Sequence, residues 1–460
     1  MVDSKNPLLT ASYATLFSMW AYSYYYVLPM SPNVVITATL IVYIGSHRSL
    51  RLLATEAEGG VASNDKEVMS TKDAAQFPIV GSCALFGLFV AFKYFDKDTV
   101  NIILGVYFGI VGFISMIGTL GPFFETFIQS KNTYGFKKTL PYIGELDCLL
   151  TPAELVAIIP SAIFSIYYFK TKHYMLNNLF GISFCVQSIE RMSIGSYKIG
   201  AILLSGLFIY DIFWVFGSEK VFGSNVMVTV AKSFDGPIKL LFPKTFPGGD
   251  ITVALSSTID NAKNSTLLSS LEYSEDCSTF VYDISHMLGQ HGSNTTKEFA
   301  NHALSYSRNI VVESLKNENN CTSIVSKVMS PLSIVMEGEF SLLGLGDIVI
   351  PGLFIAILLR FDAVQAGVTG LYGEHQKFSK PYFHLNIIFY ALGLVITLYV
   401  MNTFKAAQPA LLYLVPACLL ASLLVARYEK NFPLLLEYNE EVDEDQAEDS
   451  KKEIEDKKEK

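Results

Sequence analysis

Followed for runs of apolar residues, the chain is a series of membrane-length stretches joined by short polar connections and interrupted once by a long polar segment. Leu8–Pro29 and Asn33–Ser46 come first, parted at Ser31-Pro32; they predict either one long Pro-broken element or two tight crossings. Phe77–Phe95 and Thr99–Leu120, separated by only Asp96-Lys97-Asp98, predict an antiparallel helical hairpin. A polar, Gly/Pro-punctuated connection leads to Leu150–Phe169, Met175–Met192 and Ile199–Gly217. Ser224–Pro243 is amphipathic and broken at Gly236-Pro237, the pattern of an interfacial or re-entrant piece. From Lys244 to Glu339 no apolar window is long enough to span, after which Phe340–Phe361, His384–Phe404 and Gln408–Arg427 resume the series. The pattern predicts an all-α polytopic membrane protein with one soluble insertion.

Composition agrees: of 460 residues, 51% are hydrophobic and 17% charged, which excludes an ordinary soluble two-domain chain. The formal net charge of −9 is concentrated at the end, where twelve acidic residues face five lysines from Glu437 onward. The body is near neutral, so no nucleic-acid partner is expected. The N-terminus lacks the basic region and cleavage site of a removable signal peptide, so the first apolar stretch is expected to insert the chain. His47, Arg48 and Arg51, with Arg360 and Arg427 at later span ends, predict a cytosolic side there and a cytosolic tail. The insertion then falls on the lumenal side. It holds the N-glycosylation acceptors Asn264, Asn294 and Asn320, and Cys277 and Cys321, a candidate disulfide pair in an oxidising compartment. Such sequons also arise by chance in a loop rich in Asn, Ser and Thr.

Two carboxylates interrupt the apolar stretches, Asp211 and Asp347. An Asp at mid-bilayer costs roughly 2.5–3.5 kcal/mol, so each marks a candidate functional site. Two facing carboxylates in a low-dielectric pocket share one proton, leaving one to activate water and the other to polarise a carbonyl. That chemistry needs no metal or other cofactor, and the seven histidines show no ligand spacing. Paired acids in a helical bundle serve an ion or proton pathway equally well, and these residues alone leave the choice open. Gly344 and Gly346, flanking Leu345, allow close backbone approach, by a substrate or simply by a neighbouring helix. Gln408-Pro409-Ala410-Leu411 is either an ordinary helix start or backbone able to bind an extended peptide.

Taken together, Tyr210-Asp211 in GLFIYDIFWVFG, Gly344-Leu345-Gly346-Asp347 in LLGLGDIVIPG, and QPALLYLVPA resemble the presenilin and signal peptide peptidase family of intramembrane aspartyl proteases. The flanks NNLFGISF, NVMVTVAKSFDGPIKLLFP and LLRFD are similar to its signal peptide peptidase branch, and the resemblance runs from Arg48 to Arg427 outside the insertion. It implies a presenilin-like fold of about nine transmembrane helices, with Asp211 and Asp347 catalytic and Tyr210, Gly344, Leu345, Gly346, Gln408, Pro409, Ala410 and Leu411 in motif or substrate-binding roles. The segments expected are a broken N-terminal transmembrane element (1–46), a polar linker (47–76), helices of the N-terminal half (77–195) and the first catalytic helix with its amphipathic follower (196–243). The lumenal insertion (244–339), the C-terminal catalytic helices (340–430) and the acidic tail (431–460) complete the chain. Implied partners are transmembrane-helix substrates such as remnant signal peptides, and membrane lipid; a homo-oligomer and quality-control components of the endoplasmic reticulum are further candidates. A non-proteolytic role in binding membrane helices is the alternative. Lys457 and Lys458 resemble a cytosolic dilysine retrieval signal, which implies the endoplasmic reticulum membrane. Two features depart from the family pattern: the long insertion, and a near-duplication from Trp214 to Asn225 that is expected to shift the end of the Asp211 helix.

Overall fold

The computed structural model describes residues 7–23, 26, 28–50, 67–125, 128, 134–140, 144–223, 226–234, 236–243, 340–368, 377–404 and 408–440. Asn264, Asn294, Asn320, Cys277, Cys321, Lys457 and Lys458 lie outside them. The chain divides into two compact units: residues 1–18, 34–240 and 343–460, and residues 19–33 and 241–342. Among its described residues the second unit holds the end of one helix, the start of the next and the outer parts of two short strands, with Tyr22 and Tyr26 stacked at 4.8 Å. The first unit carries the helical bundle.

In chain order the helices are α1 (Pro7–Tyr22), α2 (Met30–Arg48), α3 (Thr71–Tyr94), α4 (Lys97–Glu125), α5 (Pro152–Thr171), α6 (Tyr174–Arg191), α7 (Tyr197–Ile212), α8 (Ser218–Phe222) and α9 (Val226–Ser233). Then follow α10 (Gly346–Gln365), α11 (Pro381–Phe404), α12 (Leu411–Glu429) and α13 (Phe432–Glu437). A π-helical turn, Phe213–Gly217, joins α7 to α8, so that Tyr197–Phe222 is one 26-residue span. Counting that span once, nine helices among the described residues run eighteen residues or more, and six of these are long and apolar enough to cross a membrane by length and composition. The protein is therefore a polytopic all-α membrane protein.

The helix starts follow from capping chemistry. Ser70 and Asp73 form a capping box before α3, and Thr151 and Glu154 form one before α5, with the Thr151 N–H donating to Glu154 Oε2 at 2.8 Å. Glu154, which its position near a span end marks as an interfacial anchor, is thus a cap residue. Close packing depends on small residues: a Cβ on Gly109 of α4 would meet the Phe169 ring of α5 at 2.1 Å, and one on Gly352 of α10 would meet Ile189 of α6 at 2.5 Å. Helix α10 is the most enclosed, packing against α6, α7, α11 and α12. Isoleucines such as Ile110 and Ile114 of α4 and Ile163 and Ile166 of α5 point outward, as lipid-facing side chains do.

Strands appear where the hydropathy pattern predicts none. The connection after α4 folds as an antiparallel hairpin, β2 (Tyr134–Leu140) with β3 (Gly144–Leu150), in a register pairing Tyr134 with Leu150. β1 (Glu67–Val68) pairs in parallel with β4 (Met192–Ser193). β5 (Lys239–Pro243) and β6 (Phe340–Gly344) form a further two-stranded sheet. The apolar run that begins at Phe340 therefore starts as a strand and turns helical only at Gly346, because Gly344 and Gly346 weaken helix formation there.

Candidate active site

Asp211 occupies the last turn of α7, and Asp347 the first turn of α10. Asp211 is 3% exposed and its Oδ2 has no hydrogen-bond partner among the described residues, an expensive condition for a buried carboxyl unless another group or water is brought to it. Asp347 is half-buried, with its Oδ2 turned toward Gly344, where a Cβ would lie 3.3 Å away. The two carboxyl groups are near enough for direct charge–charge interaction. Two acids 136 positions apart in the sequence thus meet at one place.

The third motif joins them. Pro409 and Ala410 form the turn before α12, with Tyr413 N–H and Leu414 N–H both donating to the Ala410 carbonyl at 3.1 Å. The open start of α12, with Leu411, packs against α7, and the Leu411 N–H faces the Asp211 carboxyl. Pro409, Ala410 and Leu411 are buried and Gln408 is half-buried.

The remaining motif residues frame Asp347 and Asp211. Leu345 donates its N–H to the Ile238 carbonyl at 3.1 Å, and its side chain fits over Gly181 of α6. Gly346 is exposed, with space where a side chain would be. Tyr210 turns away toward α3, its ring 3.7 Å from a Cβ placed on Gly81 and 6.3 Å from the Trp214 ring. The π turn begins two residues after Asp211, with Phe213 N–H reaching both the Ile209 and Tyr210 carbonyls. Ser218 Oγ, donating to the Trp214 carbonyl at 2.6 Å, and Trp214 Nε1, donating to Ser82 Oγ at 3.0 Å, hold that turn. π turns of this kind recur at functional sites because they re-aim side chains without ending a helix.

Sequence reasoning passes over Tyr390 and the partners of Arg360. Tyr390 of α11 donates its hydroxyl to the Asp347 carbonyl at 3.2 Å. At the far end of α10, Arg360 is 0% exposed and pairs with Glu440 at 2.8 Å, while donating to Ser49 Oγ at 2.9 Å and Ser193 Oγ at 3.2 Å. The sequence places Arg360 at the cytosolic end of a span; the structure buries its side chain there and pairs it with a residue of the tail. Among the described residues no group of three or more His, Cys, Asp or Glu side chains could hold a metal ion.

Comparison with known proteins adds an independent line. The family model described as Signal peptide peptidase matches residues 61–259 and 277–442. The signal peptide peptidases of Mus musculus and Homo sapiens are each 31% identical over 424 residues, spanning 90% of this chain and 84% of each relative. A probable intramembrane protease of Schizosaccharomyces pombe is 28% identical over 415 residues, 90% of this chain and 96% of that protein. No solved structure matches the chain.

Proposed function

This chain belongs to the signal peptide peptidase family of intramembrane proteases, and from that premise we propose that it is an aspartyl endopeptidase whose dyad is Asp211 and Asp347. The observation that carries the reading is that α7, α10 and α12 pack on one another with Asp211 and Asp347 close enough for their charges to interact directly, beside the start of α12. In the proposed cycle one carboxylate takes a proton from water as the water oxygen attacks the scissile carbonyl carbon, and the other, protonated, donates to the carbonyl oxygen. The tetrahedral diol collapses as one hydroxyl gives its proton to the now ionised carboxylate and the carbonyl re-forms; the C–N bond breaks, and the other carboxyl passes its proton to the leaving amine, restoring the starting pair. Exposed Gly346 and the Pro409-Ala410 turn supply backbone against which an unwound substrate can lie.

Substrates of this reading are remnant signal peptides and other type II-oriented transmembrane helices. A helix hides its scissile carbonyl in an internal hydrogen bond, so the segment must unwind, and helix-weak residues lower that cost. The same reading places the chain in the endoplasmic reticulum membrane, with the insertion and its sequons lumenal and the tail, with Lys457 and Lys458, cytosolic. The test is cleavage of a type II-oriented signal-peptide substrate by the purified chain in detergent. Asp211→Asn and Asp347→Asn are each expected to abolish turnover while leaving the protein folded. Continued cleavage by either variant would remove the dyad, and retained substrate capture by an inactive wild type would favour a binding role.

A further inference from the structure

In an α-helix the carbonyl of residue i accepts the N–H of residue i+4. Four residues after Asp347 stands Pro351, which has no N–H and whose ring pushes the i−4 carbonyl aside. The chain itself thus denies the Asp347 carbonyl its helical partner, at the first turn of α10, between two glycines and the bundle. At that carbonyl the structure places a phenol: Tyr390 Oη of α11 donates to Asp347 O at 3.2 Å. Tyr390 is 0% exposed and Pro351 is buried. A hydroxyl in such surroundings is costly unless it is bonded, so packing alone would be served better by phenylalanine.

We infer that Tyr390 is a positioning residue for the Asp347 carboxyl, its hydroxyl supplying the hydrogen bond that Pro351 removes. The first turn of α10 is then pinned at two points, the Leu345 N–H on the Ile238 carbonyl and the Asp347 carbonyl on Tyr390. Since the Cα–Cβ direction follows the backbone, fixing that carbonyl fixes the point from which the carboxyl reaches into the site. Misplacement of a reacting group by about 1 Å can cost on the order of a hundredfold in rate. The inference rests on the proposed role of Asp347, and its own content is the pairing of Tyr390 with Pro351.

A double-mutant cycle on the full chain in detergent tests it, with kcat and KM measured separately for a type II-oriented signal-peptide substrate. Tyr390→Phe is expected to lower kcat about tenfold, the size of one orphaned buried carbonyl, with KM within about twofold of wild type. Pro351→Ala returns an N–H to the helix. Whatever that variant's own activity, adding Tyr390→Phe to it is expected to change kcat by less than about threefold. An equal loss on both backgrounds, or no loss on either, overturns the assignment. If Tyr390→Phe does not fold, a folded Tyr390→Phe/Pro351→Ala chain with kcat near that of Pro351→Ala supports it, and failure of both to fold overturns it. Asp347→Asn runs alongside: continued cleavage by it defeats the dyad itself, whereas a dead Asp347→Asn with no coupling in the cycle defeats only the Tyr390 assignment.

Discussion

Asp362 shows how much one side chain can settle in this bundle. It sits in the last turns of α10 and accepts the N–H groups of Tyr382 at 3.4 Å and Phe383 at 3.0 Å, capping α11 across the connection. Its charge also faces Lys380, a buried ammonium that donates to His47 Nε2 at 3.0 Å, with His384 close by. Asp362→Ala removes the cap and is expected to cost about 1–2 kcal/mol, read as a lower melting temperature in detergent. Lys380 makes a pH prediction with a definite sign. Burial pushes its ammonium down to about 8, and the Asp362 charge partly offsets that. Between that value and the ordinary lysine value near 10.4 the unfolded chain binds more protons than the folded one, so stability rises with pH in that window. Below about pH 8 the cost of the buried charge is present in full. Lys380→Met is expected to flatten the rise in melting temperature between pH 8 and 10, and a profile identical to wild type would show that Lys380 does not titrate there.

Among elements, the first catalytic span is the one where local sequence and fold interact most closely. The near-duplication from Trp214 does not end the Asp211 helix: the first copy runs through the π turn into α8, the second begins within α8, and its Gly223 closes the span in the left-handed region at φ 73°. Gly223→Ala is expected to lower stability by about 1 kcal/mol through that backbone conformation alone, since a Cβ there meets no atom of the described residues within 4 Å. Gly352 fails for the opposite reason. Its φ is ordinary, but a Cβ would stand 2.5 Å from Ile189, so Gly352→Ala is expected to cost about 1–3 kcal/mol and Ile189→Ala to recover part of it. How much was legible in sequence follows from these cases. Hydropathy found six helices long and apolar enough to span because lipid demands about twenty apolar residues whatever the partner, and the two acids in apolar runs were visible because nothing else explains their cost. The hairpin of β2 and β3 was invisible to a search for apolar length, and the strand Phe340–Gly344 was hidden inside an apolar run that reads equally well as helix. Pro351 carried a readable signal, a missing N–H four residues after Asp347, but the group that answers it lies on another helix. No local pattern could name Tyr390.

At the scale of the whole molecule, the start of the tail, as far as Glu440, is part of the bundle. The acidic tail reads from composition as solvated, yet its first residues are fixed: Glu440 Oε1 meets Arg360 Nε at 2.8 Å, Glu440 Oε2 accepts from Ser193 Oγ at 2.5 Å, and Tyr438 donates to Glu440 Oε1 at 2.8 Å. The Glu440 N–H reaches the Gly195 carbonyl at 2.8 Å, and Asn439 bridges to Ser196 at the start of the Asp211 helix. One residue of the tail therefore ties the end of α10, which carries Asp347, to the loop that begins α7, which carries Asp211. A buried pair of this kind adds little over an apolar replacement, but removing one partner strands the other charge at about 3–5 kcal/mol. Two truncations separate tether from tail. A chain ending after Glu440 sheds most of the negative charge and keeps the pair, so its melting temperature and its cleavage of a type II-oriented signal-peptide substrate are expected to match the full chain. A chain ending at Glu437 leaves Arg360 buried without its carboxylate and is expected to lose both stability and turnover. Replacing Arg360 by Met in that shorter chain removes the stranded charge and is expected to return much of the stability. It cannot return the link between α10 and the start of α7, so turnover that recovers fully with stability would show that the tether serves folding alone.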